Sequence, residues 1–130
     1  MVAANQNILF TENAVPGSCS ILHREGSGLV TLRGFTRQCR ARFKVTFGGN
    51  IAVPTTGSAE AIKVAIAIDG EPVSTTTMIA TPSAGEEYFN VFSAIYLDVP
   101  AGCCITIAVE NISTQPILVQ NANLIVERIA

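Results

Sequence analysis

The chain has 130 residues, the size of one domain, and that is enough to bury a core without metal or disulfide staples. Hydrophobic residues make up 48% and charged residues 14%, where an average soluble domain has roughly 25% charged. So little charge favours an oligomer that hides part of its surface against its own copies. A net charge of −2 singles out no partner, and no apolar run reaches the ~20 residues of a membrane-spanning helix.

Residues 1–17 read as an N-terminal leader, distinct from a domain over 18–130. The segment lacks the basic and long apolar regions of a signal peptide, which points to synthesis in a cytoplasm. Around Ile8-Leu9-Phe10 the leader is apolar but too short to hold itself in place. These three residues are expected to dock on a neighbouring subunit or a shell. Beyond the leader, period-two alternation dominates, the signature of strands. Strands are expected over 7–12, 18–23, 28–34, 38–48, 60–69, 72–80, 87–99, 103–111 and 116–129. Arg40, Arg42, Lys44 and Thr46 share one face of the fourth, opposite Ala41, Phe43, Val45 and Phe47. Gly48-Gly49-Asn50 then reads as a turn, and Asp69-Gly70 as a tight hairpin. In the long seventh strand Phe89, Val91, Ser93, Ile95 and Leu97 alternate with Tyr88, Asn90, Phe92, Ala94, Tyr96 and Asp98. With aromatics on both faces, one face fills a core and Tyr88, Phe92 and Tyr96 are candidates for a subunit interface. The last strand should bend or bulge near Asn121-Ala122-Asn123. The fold class is all-β, a two-sheet antiparallel jelly-roll sandwich of about eight or nine strands.

Little here points to catalysis. The single histidine, His23, has no G-x-S-x-G elbow to serve and reads as a strand end before the turn at Glu25-Gly26. Glu86 and Glu87 are adjacent, so they point apart and read as a solvated loop edge. Cys19, Cys39, Cys103 and Cys104 read first as small apolar thiols. A metal set and a late disulfide stay open behind that reading, and the pair Cys103-Cys104 splits to opposite strand faces. No catalytic residue, cofactor or metal is expected. Asn111-Ile112-Ser113 matches a glycosylation sequon and reads as a strand-end turn. Five of the eight basic residues, Arg33, Arg37, Arg40, Arg42 and Lys44, fall close together. Either they guard an edge strand against aggregation, or they contact a partner such as an acidic protein shell. A glycan or receptor is a further option. Phe43 and Phe47 alternate onto the opposite face, which argues against nucleic acid.

Several runs together resemble a known family. They are Ile66-Ala67-Ile68-Asp69-Gly70-Glu71-Pro72, Val99-Pro100-Ala101-Gly102, Ile105 to Asn111 and Leu124 to Ile129. Their order is similar to that of the compact trimeric jelly rolls. These are the tumour-necrosis-factor-like and complement-type heads, with bacterial relatives at the tips of spore-surface proteins. The match covers about residues 28–130 and consists of strands and turns, with no catalytic motif. The 130 residues themselves hold no collagen-like or coiled-coil run, where the family has a stalk. A free-standing domain of this size also resembles decoration proteins of tailed-phage capsids. The resemblance implies a homotrimer with a structural role in a virion. The alternative is a receptor- or carbohydrate-binding head of a fibre tip, on a bacterial or spore surface.

Overall fold

In the computed structural model, residues 2–10, 21–23, 25–33, 40–100 and 104–129 are described here, Leu22 and Arg40 by their backbone alone. Nine strands form among them: β1 Ile21–His23, β2 Val30–Arg33, β3 Arg40–Ala52, β4 Ile62–Ile68, β5 Glu71–Pro72, β6 Met78–Ala80, β7 Phe89–Pro100, β8 Cys104–Asn111 and β9 Leu118–Arg128. They make two antiparallel sheets. One runs β1-β2-β8-β4-β5, with β6 also on β4, and the other runs β7-β3-β9. From β2 onward the chain keeps switching sheets: β2 in the first, β3 in the second, β4 to β6 in the first, then β7, β8 and β9 in turn. This is the winding of the expected jelly-roll sandwich, and it lets each sheet turn one apolar face inward.

The alternation read from the sequence sets the core. Phe43, Val45, Phe47 and Ile51 of β3 lie fully buried against Leu32, Ile62, Val64, Ile66, Ile107 and Val109 of the other sheet. The Asp69-Gly70 turn forms as expected, with both residues at positive φ, 50° and 88°, joining β4 to β5. Asp69 is fixed further: its Oδ1 accepts from the Thr106 amide at 2.9 Å.

Two expected elements come out differently. The run 72–80 is not one strand. A 3-10 turn at Ser74–Thr76 breaks it into β5 and β6. The cause is Thr76, whose buried hydroxyl accepts from Ile66 N–H at 3.0 Å and donates to Val73 O at 2.7 Å. A side chain here stands in for a strand's backbone beside β4. Nor does the chain turn at Gly48-Gly49-Asn50, since β3 runs on to Ala52. The bend sits in β9 instead. Gly48 pairs with Asn123 and Asn50 with Gln120, so Gly49 faces both Asn121 and Ala122. This is a bulge at the place the polar cluster suggested, with Asn121 at φ 56°. A Cβ on Gly49 would lie 3.2 Å from Phe47 Cζ and 3.3 Å from Ala122 Cα, so glycine permits the close approach.

The leader is the main correction. Residues 2–10 are not a free arm but part of this sandwich. β2 pairs with β8 only over Cys104 to Ile107, and the leader takes the adjoining stretch. Ile8 N–H donates to Val109 O, Asn5 N–H to Asn111 O and Asn111 N–H to Gln6 O, at 2.8 to 2.9 Å. Val2 and Ile117 exchange both backbone bonds. Ile8 and Phe10 are buried, and Phe10 meets the Phe47 ring edge-on at 6.2 Å. Leu9 stays exposed. Too short to hold itself, the segment is held because the body of the sandwich supplies the sheet edge and the pocket it needs. The boundary expected at residue 17 lies outside the described residues.

Candidate interaction face

The outer face of the β7-β3-β9 sheet is the surface that the fold leaves least explained. Registration of its strands lays it out in rows about 7 Å apart, two residues along each strand. The first row is Phe92, Gly48 and Asn123, and the second is Ala94, Thr46 and Ile125. Tyr96, Lys44 and Glu127 make the third. In the fourth, Asp98 stands opposite Arg42, and Ile129 donates its N–H to Arg42 O. Phe92 is 66% exposed, Tyr96 62% and Ile125 45%. Their inward neighbours Val91, Leu97 and Val99 are buried, so the sheet's other face already satisfies the core. Two exposed aromatics two rows apart on β7, with an exposed isoleucine on the far side of Thr46 in β9, are large apolar side chains of the kind that mark a contact site. Phe92 and Tyr96 were expected at an interface, and both lie on this face. Tyr88, just before β7, shares their alternation but is only 36% exposed.

Arg42 and Lys44 share the outer face of β3 as the alternation implies, but the rest of the basic cluster does not join them there. Arg33 belongs to β2 in the opposite sheet, away from β3. Arg37 lies outside the described residues, as does the Arg40 side chain. Arg42 is held by a carboxylate: its Nε donates to Asp98 Oδ1 at 2.9 Å and its Nη2 to Oδ2 at 3.3 Å. That pairing pushes the guanidinium's pKa further up, mainly through the hydrogen bond. Lys44 stands in register with Glu127. Arg42 therefore binds, and Lys44 stands across the strand from, an acidic residue more than fifty positions away in sequence, which local charge counting cannot see. Nor is β3 an edge strand guarding against aggregation, because it is central in its sheet.

Other singled-out residues take quieter places. His23 Nε2 lies 2.9 Å from Ser27 O, beside the Phe10 ring, at the strand end expected of it. Glu87 accepts from Ser83 Oγ at 3.0 Å in an exposed loop. Cys104 is exposed rather than buried, and Cys19, Cys39 and Cys103 lie outside the described residues.

Asn111 lies at the strand-end turn expected of it, but its role there goes beyond the sequence reading. It is fully buried, and its Nδ2 lies within 3.0 to 3.3 Å of the carbonyls of Val2, Ala3 and Gln115. Its Oδ1 accepts from Ser113 N–H at 2.9 Å. The sequon asparagine is thus a structural clasp between the leader and the β8–β9 loop, with no route to a glycan. The only sequence signal was a polar residue closing an apolar strand, which is common at strand ends. No protein-family model matches the chain, and no curated protein matches it.

Proposed function

We propose that this chain is a non-catalytic structural protein of a virion or surface assembly, a homotrimer that decorates a capsid or other protein shell. The observation that carries the reading is the exposure of Phe92 and Tyr96 on β7 and of Ile125 on β9, all on one face of an otherwise finished sheet. The low charge of the whole chain supports it, because an assembly that covers this face needs less polar surface. The number three and the shell rest on the resemblance of the turn pattern to trimeric jelly rolls. Subunits would meet through the β7-β3-β9 face, burying more than about 1,000 Å² per pair.

Light scattering and sedimentation test the assembly. Wild type is expected at trimer mass at micromolar concentration, and the Phe92→Glu, Tyr96→Glu double variant at monomer mass with an unchanged far-ultraviolet spectrum. A monomeric wild type sinks the reading. Rebinding of purified trimer to stripped particles, read by electron microscopy, tests the shell. Absence of rebinding would favour a receptor- or carbohydrate-binding head.

A further inference from the structure

Gly48 is a hole in the outer face. It sits at the centre of the first row, between Phe92 on β7 and Asn123 on β9. A Cβ built on it would meet nothing within 4 Å. A glycine inside a sheet is commonly covered by an aromatic from the neighbouring strand. Phe92 is the residue placed to do so, yet its ring leaves the space above Gly48 empty and stands 66% exposed. Knob and notch therefore lie side by side, one row deep, and neither is used within the chain. Small residues border the notch on the next row, Thr46 and Ala94.

The charges on the same face say what kind of partner fits. Among the described side chains it carries two cations, Arg42 and Lys44, and two anions, Asp98 and Glu127, confined to the third and fourth rows. A partner of one sign would meet repulsion from half of them. A second copy of the face brings both signs and an aromatic knob of the right chemistry for the notch. We propose that Gly48 is the seat for Phe92 of a second copy, a specificity-determining contact of the assembled protein. This rests on the self-assembly reading above and adds to it the residue that receives the aromatic.

The test uses a substitution that suits the isolated chain and offends only the assembly. Gly48→Val adds a side chain into open space at a strand position without positive φ, and a β-branched residue favours a strand over glycine. The variant should keep the wild-type far-ultraviolet spectrum and melt cooperatively, no lower than a Phe92→Ser monomer. In sedimentation velocity its association should weaken at least tenfold. An equimolar mixture of Gly48→Val and Phe92→Ser chains, one with an intact knob and the other with an intact notch, should form mixed oligomers more readily than either chain associates with itself. An oligomeric wild type together with Gly48→Val assembling at wild-type affinity overturns the seat and leaves self-assembly standing. A monomeric wild type removes both.

Discussion

Asn111 shows how much one amide side chain can hold. Two strand ends and the leader converge on it, and no water reaches it to replace a lost partner. Asn111→Ala should destabilise the chain by roughly 1–3 kcal/mol for each backbone group left unpaired. Asn111→Asp should do worse, since a buried carboxylate would face carbonyl oxygens, at about 3–5 kcal/mol. Burial raises that carboxyl's folded-state pKa, so the deficit is small in acid and grows as pH rises above roughly 4. Urea unfolding at two pH values measures both effects. Thr76→Val keeps the shape of its side chain and removes the hydroxyl that Ile66 N–H uses, so a loss of about 1–3 kcal/mol is expected in the same assay. Neither role was legible beforehand. Polar residues at strand ends read as turn chemistry, and only tertiary contact tells a solvated amide from a buried clasp.

Among the elements, β3 separates what periodicity can and cannot reveal. Its alternation from Ala41 to Phe47 was plain, and so was the buried face. Its continuation through Gly48 and Gly49 was not, because paired glycines carry the same signal in a turn and in a strand that needs close approach. The two glycines should respond in opposite ways. Gly49→Ala presses a methyl against the Ala122 backbone and should cost about 1–3 kcal/mol, while Gly48→Ala should be neutral or stabilising. Thermal melts of the pair under dilute conditions check this. The leader teaches a related point. Ile8 and Phe10 alternate with Asn7 and Leu9, and the alternation predicts a short strand at 7–12; the segment instead makes an isolated bridge at Asn7, and residues 11 and 12 lie outside the described residues. What the pattern omits is which sheet edge receives it, since β8 supplies residues a hundred positions away. Phe10→Ala should lower stability by about 3–5 kcal/mol, where a dispensable arm would leave it unchanged.

For the molecule as a whole, class and layering were readable because both sheets bury one face, which writes a period of two into nearly every strand. Charge placement was not readable, because Arg42 finds Asp98 and Lys44 faces Glu127 only after the chain has crossed between sheets. If the outer face closes against copies of itself through its apolar rows, raising salt from 50 mM to 1 M should leave association nearly unchanged. Screening would weaken an assembly held by Arg42 and Lys44 against an acidic surface. Analytical ultracentrifugation across that range separates the two. The clasp at Asn111 also imposes an order of events on synthesis. Val2 leaves the ribosome before its partner Ile117, which is made several seconds or more later at roughly 5–20 residues per second. Throughout that interval Ile8 and Phe10 have no pocket to enter. The sandwich cannot close before β8 and Ile117 are made, and the nascent chain must carry the apolar residues Ile8 and Phe10 unprotected until then, which makes them a natural target for ribosome-associated chaperones.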